Sequence, residues 1–352
     1  MDDSPRSTSQ SISGAMDSGI SESSTPAMAR PDITQDQKAA VPLVTTTVQA
    51  EPASLNMDHL ELLHHYCTET YQTFTLEADL QEVYKVTIVR MGFSFAPLMY
   101  ELLAISALHL AHTRHGNAAW YHRKSIELQT QALSAFTAQK DVDESNCGQV
   151  LLFTSLLGLH MLCDPSGTQE LDSRSNQYLT HVIRTVGLLR SVKGLTISNW
   201  EQEIRQTDLK PLFRMAHPVK PYNIPQPCID LATITHDSDL SSEAKEAYKH
   251  AIERLQWAFC VSQTDAQRHH TSKWLLAWPI QLSEKYLDLL SQRRQEALII
   301  LAYFGVMMVS YRDCWAVGDN GLVLIREISE QLGPRWERWM AWPVSFLSSE
   351  GG

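Results

Sequence analysis

Several kinds of segment are absent from this 352-residue sequence. Its six cysteines are widely spaced and form no C-x-x-C pair, which argues against a structural zinc site and a redox motif. No secretory leader is recognisable, so free buried thiols are predicted rather than a disulfide framework. The longest apolar stretches, 150–163 and 298–309, fall short of the ~20 residues that cross a membrane. We therefore predict no membrane contact.

Basic clusters are also absent. The formal net charge is −11, whereas nucleic-acid binding depends on cations that displace phosphate counterions. The densest basic spots, Arg293-Arg294 and Arg335 with Arg338, form neither a stripe nor a nuclear-localisation run. The chain is therefore predicted to make no direct contact with nucleic acid.

Familiar catalytic motifs are missing as well: there is no G-x-S-x-G elbow, no Walker loop and no G-x-G-x-x-G. The run His109-x-x-His112-x-x-His115 lacks the i, i+4 spacing and the intervening Glu of zinc hydrolases. The acidic run 141–144 could hold a proton-donating carboxylic acid, but it follows Lys140 between two predicted helices and is typical of a solvated loop. We therefore predict neither a metal nor a cofactor.

Residues 1–56 differ in composition from the rest. They are rich in Ser, Thr, Pro and Ala, contain no aromatic residue, and carry seven acidic and three basic side chains. Such a segment cannot bury enough apolar surface to offset chain entropy, so it is predicted to be a disordered tail.

Residues 57–347 are predicted to form a single large all-α, multi-helix domain, because apolar residues recur at helical spacing and no strand alternation appears. Asp58 is the expected first N-cap, Pro97 is expected in the first turn of a helix, and Gly194 is expected just past a helix end. Five prolines predict an irregular crossing at 211–237. The predicted helices are 59–73, 83–95, 98–112, 120–138, 147–163, 178–191, 241–262, 271–278, 281–291, 295–311 and 322–332.

Six segments occur in the order found in one family. They are 60–70 (LELLHHYCTET), 97–111 (PLMYELLAISALHLA), 146–159 (NCGQVLLFTSLLGL), 182–192 (VIRTVGLLRSV), 296–309 (EALIILAYFGVMMV) and 332–343 (LGPRWERWMAWP). The chain resembles the C-terminal regulatory domain of fungal binuclear zinc-cluster transcription factors, of the sterol uptake control type. The resemblance implies an all-helical domain that binds a hydrophobic small molecule, sterol-like in one branch, and a DNA-binding cluster of six close cysteines.

Two features depart from that family. Residues 1–66 contain no cysteine, so the zinc cluster is missing from this sequence. The Trp-rich patch after the 296–309 segment is reduced to Trp315, followed by Gly318 and Asp319. A gene prediction that lost the zinc-cluster exon is one explanation for the first departure.

Apolar and aromatic side chains on three of the predicted helices and beside them are candidates for a ligand pocket, with ordinary core packing as the competing interpretation. Methionines among them would adapt to ligand shape. The candidate ligand-binding residues are Phe153, Leu157, His160, Met161, Trp257, Trp278, Phe304, Met307, Met308 and Tyr311. The weak catalytic candidates are His160, Tyr303, Tyr311 and Trp315, chosen as hydrogen-bond donors on or beside apolar helices.

Two functions are open. The first is a nuclear transcription regulator of a fungal pathway that binds a sterol-, terpenoid- or polyketide-like molecule and acts through a homodimer or a transcription partner. The second is a cytoplasmic, cofactor-independent enzyme of secondary metabolism, a cyclase or Diels-Alderase-like pericyclase that holds one reactive conformer in the same pocket.

Overall fold

A computed structural model describes residues 55–75, 77–139, 143, 145–164, 177–204, 207–213, 224–236, 239–264 and 273–350. The predicted tail lies outside these residues except for its last two positions. Throughout the described part the regular structure is helical and no strand occurs, which confirms the all-α prediction. The α-helices are α1 Met57–Thr68, α2 Ala78–Glu82, α3 Ile88–Ser94, α4 Ala96–Thr113, α5 Ala118–Thr137, α6 Cys147–Cys163, α7 Gln177–Ile204, α8 Gln226–Asp230, α9 Ser242–Thr264, α10 Lys273–Ala277, α11 Glu284–Ser291, α12 Gln295–Val309, α13 Asn320–Gln331 and α14 Glu337–Ser345.

The most apolar helices are the most buried ones. In α12 every residue from Glu296 to Met308 is buried, and α4 and α6 are buried over most of their lengths. A helix that is hydrophobic on all sides must be covered on all sides. Accordingly α5 packs along α4, α7 packs along α6, and α13 packs along α12. None of the described helices combines the length and apolarity needed to cross a membrane.

Two large apolar clusters fill the interior. The amino-terminal core includes Tyr66, Leu98, Phe153 and Leu157 and is built mainly from α1 to α6. The carboxy-terminal core is built mainly from α7 and α9 to α14. It includes Tyr248, Trp278, Tyr286, Phe304 and Ile325. A smaller third cluster, with Leu62, Leu110 and Leu128, lies between α1, α4 and α5.

Several local expectations change. The side chain of Asn56, not Asp58, caps α1 by accepting the His59 N–H at 3.1 Å. The expected end before Gly194 is wrong, because α7 continues to Ile204; a single glycine costs a helix only about 1 kcal/mol relative to alanine and need not end it. The helix expected at 83–95 contains a π-helical segment, Val83–Thr87, before α3.

The Pro-rich crossing is described only in part. Residues 226–236 within it form α8 and a 3-10 helix, with Pro227 in the first turn of α8. Residues 214–223 and 237 lie outside the described residues. By contrast, the expected first-turn position of Pro97 in α4 is confirmed, and α6 has the predicted bounds.

Candidate functional site

The apolar helix α4 carries the buried polar groups that define the candidate site. Glu101 and Ser106 are fully buried, and His109 is nearly so. The Ser106 hydroxyl donates to the Leu62 carbonyl at 2.7 Å and ties α4 to α1. Because a buried polar group is costly without a partner, each of these side chains fixes a neighbouring element.

Glu101 pairs with His160 of α6. Glu101 Oε1 and His160 Nδ1 are 2.8 Å apart, and His160 Nε2 lies 3.0 Å from Ser125 Oγ of α5. The Ser125 hydroxyl donates to the Ala104 carbonyl at 2.8 Å, so Ser125 accepts from Nε2 and both ring nitrogens donate. This pattern suits an imidazolium–carboxylate pair, held in a dry interior that leaves the three side chains at most 2% exposed.

Ser125, His160 and Glu101 form an array of the residue types that serve elsewhere as nucleophile, base and orienting acid. However, the Ser125 proton is committed to a backbone carbonyl, and the array is closed to solvent. A nucleophile needs its proton directed at the base. The arrangement therefore acts as a polar connection between α4, α5 and α6, and it gives His160 a structural position rather than an accessible catalytic one.

His109 forms a second polar group two turns further along α4. Its Nδ1 lies 3.1 Å from both His65 Nε2 and Thr70 Oγ1, and its ring faces the Trp315 ring at 4.7 Å between centroids. Burial, followed by the neighbouring His65 and His112, lowers the pKa of His109 to about 4. At neutral pH His109 is therefore uncharged.

Trp315 lies where the two large cores meet. It is partly buried, and together with Cys163 it packs against both the amino-terminal and the carboxy-terminal core. We call this region the junction. The Trp315 indole N–H is buried and has no acceptor in the part of the chain that the structure describes. An unpaired buried donor costs free energy, so this N–H is available to an added acceptor at little further desolvation.

The predicted ligand-binding residues divide between the two cores. Phe153, Leu157 and Met161 belong to or pack against the amino-terminal core. The carboxy-terminal core holds the other apolar members, which are Trp257, Trp278, Phe304, Met307, Met308 and Tyr311. Among the described residues these side chains therefore belong to two clusters, and Trp315 and Cys163 of the junction pack against both.

Some of these aromatic side chains already have partners. Trp278 stacks on Phe304 at 4.9 Å between centroids and donates its indole N–H to the Ala251 carbonyl at 2.9 Å. The catalytic candidate Tyr303 donates to the Trp339 carbonyl at 3.0 Å, and burial raises its pKa. Among the four catalytic candidates, Trp315 has a buried indole N–H with no acceptor in the described residues.

Sequence reasoning missed Glu101, Ser125 and His65. The signal for Glu101 was present, because it is the single charged residue in the apolar segment 97–111, and an acid in such a helix needs a buried partner. The histidine run separates in the structure: His109 is buried, whereas His112 and His115 are exposed. Among the described residues, no group of three or more His, Cys, Asp or Glu is placed to hold a metal ion.

Residues 61–214 match the family described as fungal specific transcription factor domain. This match spans α1 to α7, and with the relatives below it confirms the predicted resemblance to the regulatory domain of fungal transcription factors.

Three relatives support this assignment. A Zn(2)-C6 fungal-type transcription factor of Gibberella zeae is 23% identical over 338 residues, covering 88% of this chain and 66% of the relative. Sterol uptake control protein 2 of Saccharomyces cerevisiae is 26% identical over 172 residues, covering 47% of this chain and 18% of the relative. The Zn(2)-C6 fungal-type transcription factor afumD of Aspergillus fumigatus is 24% identical over 293 residues, covering 75% of this chain and 72% of the relative. The chain thus spans less than two thirds of the length of the first two relatives.

Proposed function

We propose that this chain is a nuclear regulator of transcription in a fungal pathway, and that its helical domain senses an apolar small molecule carrying a hydrogen-bond acceptor. The similarity to transcription factors supports the regulator. One of the relatives is named for the control of sterol uptake, which favours a sterol-like or terpenoid-like ligand.

The observation that carries the sensing step is the junction. Trp315 contacts both cores and has a buried N–H without an acceptor in the described part of the chain. A ligand carbonyl or hydroxyl at this N–H would gain a hydrogen bond that the protein alone does not make. The flexible side chain of Met161, which packs against the amino-terminal core, could adapt to an apolar ligand body.

A ligand between the cores would favour whichever arrangement of them it binds better, and this differential affinity is what a sensor requires. These 352 residues hold no cluster of six close cysteines. Contact of the regulator with DNA would therefore depend on a segment or a partner outside them.

The test begins with deletion of the gene, followed by measurement of neighbouring transcripts and of small molecules in the same cultures. A regulator predicts that the transcripts change together. Unchanged transcripts with one accumulating intermediate would instead support the alternative, a cofactor-independent cyclase or pericyclase.

The junction is tested by complementing the deletion with Trp315→Phe, which keeps an aromatic ring and removes the N–H. We expect the transcripts to lose their response to an added sterol or terpenoid alcohol. Trp120→Phe is the matched control, because Trp120 lies on the exposed side of α5. An unchanged response in Trp315→Phe would refute the role of the junction and leave the regulator itself standing.

A further inference from the structure

The junction contains a second hydrogen-bonding group beside the Trp315 indole, which is the ring of His109 on α4. The two rings face each other with 4.7 Å between their centroids and 31° between their planes. The Trp315 indole N–H is buried and has no acceptor in the described part of the chain. His109 is only 6% exposed, so the protonation of its second ring nitrogen, Nε2, decides what the two rings can bind together.

His65 and His109 are both uncharged at neutral pH. Burial lowers the pKa of His65 below its ordinary value of 6.5 and lowers the pKa of His109 to about 4. A neutral imidazole has one N–H donor and one nitrogen with a free lone pair. The positions of the two protons therefore follow from the groups that surround the ring nitrogens.

The carboxylate of Glu69 sets the tautomer of His65. Glu69 Oε1 lies 3.4 Å from His65 Nδ1, and a lone pair on Nδ1 would face this anion, so Nδ1 carries the proton and Nε2 is an acceptor. His65 Nε2 lies 3.1 Å from His109 Nδ1, and two lone pairs do not meet at that distance. His109 Nδ1 therefore carries the proton and donates to His65 Nε2 and to Thr70 Oγ1, which is also 3.1 Å away.

This network leaves a free lone pair on His109 Nε2. Within the described residues, His109 bonds its neighbours through Nδ1 alone. The Trp315 N–H does not donate to it, because that N–H has no acceptor among the same residues. An acceptor without a donor thus lies beside a donor without an acceptor. The oxygen group that matches both is a hydroxyl, which donates one hydrogen bond and accepts others.

The spacing of the two rings suits a single oxygen atom. Two hydrogen bonds of ordinary length can reach one oxygen when the two nitrogens are within about 6 Å of each other. Rings with 4.7 Å between their centroids allow this separation. A carbonyl oxygen could accept from Trp315, but it would turn a lone pair towards that of His109 Nε2. The pair of rings therefore favours an alcohol over a ketone.

We infer that His109 Nε2 and the Trp315 indole N–H together bind the hydroxyl group of an apolar alcohol. This inference rests on the proposed function, and it narrows the ligand from an apolar molecule with any acceptor to one with a hydroxyl. His109 is then a residue that determines specificity. Glu69 and His65 are positioning residues, since they fix the tautomer of His109.

The test compares two ligands that differ in one group. Cholestanol has a hydroxyl where cholestan-3-one has a carbonyl, on the same apolar body, and each is titrated into the full chain. We expect the alcohol to bind at least about tenfold more tightly, because the ketone leaves His109 Nε2 unpaired. Equal affinities would overturn the inference and leave the Trp315 donor of the proposed function standing. Binding of neither would overturn both the inference and the sterol-like ligand.

Three variants separate specificity from folding. His109→Asn keeps a polar group near the position of Nδ1 and removes Nε2, so it should abolish the preference for the alcohol and leave ketone binding unchanged. The Glu69 side chain is 62% exposed, so Glu69→Gln should fold as the parent does and reduce the preference. His115→Asn, at an exposed position, is the control and should retain it. If His109→Asn and Glu69→Gln both keep the parent's preference, the inference is wrong.

The tautomer can also be measured without a ligand. A long-range ¹H–¹⁵N spectrum of the full chain at neutral pH, assigned with His109→Asn, distinguishes protonated from unprotonated ring nitrogens. We expect the proton of His109 on Nδ1 and a lone pair on Nε2. A proton on Nε2 would overturn the inference whichever ligand binds.

Discussion

The buried histidines His109 and His160 have different partners. His160 faces the carboxylate of Glu101 at 2.8 Å, whereas His109 faces a second histidine, a threonine and an indole ring. Burial disfavours the imidazolium unless an anion compensates it. Helix α4 thus contributes the acid of one buried pair and, two turns on, a histidine whose pKa is lowered.

The neutral state of His109 makes stability depend on pH. Its folded pKa of about 4 lies below the ordinary value of 6.5, so the unfolded chain takes up a proton first as the pH falls. The contribution of the neutral His109 ring to the free energy of unfolding is complete above pH 6.5 and is lost between about pH 6.5 and pH 4.

We expect His109→Asn, which cannot titrate, to remove part of this dependence. Between pH 7 and pH 5, the free energy of unfolding should fall less in the variant than in the parent, by on the order of 2 kcal/mol in urea titrations. His115→Asn, at an exposed position, is the control and should follow the parent. Parallel curves for His109→Asn and the parent would contradict the assignment.

The Glu101–His160 pair should show strong coupling. Removing one partner leaves the other buried without compensation, so Glu101→Ala and His160→Ala should each cost about 3–5 kcal/mol of unfolding free energy. The double variant should cost far less than their sum, because no unpaired charge remains. Denaturant unfolding of the four proteins measures this, and additive costs would show that the pair is not coupled. Arg312→Ala with Asp319→Ala, an exposed pair at 2.8 Å, should show about 0–1 kcal/mol of coupling.

At the scale of elements, glycines allow the apolar helices to approach closely. A Cβ on Gly321 of α13 would lie 2.6 Å from the Gly305 carbonyl oxygen of α12. A Cβ on Gly158 of α6 would lie 2.0 Å from Leu189 Cδ2 of α7. These contacts leave no room for even one methyl group, so the helix pairs are held in one register.

Gly158→Ala should therefore separate α6 from α7. We expect a loss of about 1–3 kcal/mol in the free energy of unfolding, because the added methyl forces Leu189 to move. Gly187→Ala is the matched control: it lies on α7, and an added Cβ would meet nothing within 4 Å. It should be neutral or stabilising by about 0.5–1 kcal/mol. Thermal or urea unfolding distinguishes the two, and equal effects would argue against close packing of α6 and α7.

At the scale of the molecule, two cores share one junction. Trp315 and Cys163 pack against both cores, and Trp315 also faces His109 of α4. A group that inserts at Trp315 would contact both cores and α4 together. Since packed interiors deform little without rearranging, such an insertion would be transmitted to both halves.

Much of the helical organisation could be predicted, and the site only in part. The bounds of α6 were predicted because an apolar run ends there at an Asp-Pro step. The end of α7 was not predicted, because Gly194 is only a local signal, whereas most helical stability in proteins comes from tertiary packing. Trp315 was predicted as a catalytic candidate, but its position between the two cores depends on how both cores pack.

The sequence by itself determined the helical class and the helices that must be buried, because periodicity and composition are properties of the chain. The tertiary structure alone decided which buried groups meet. Glu101 and His160 are 59 positions apart, and His65 and His109 are 44 apart. No spacing rule predicts such pairs, since hydrogen bonds between helices depend on how the helices pack and not on their order in the chain.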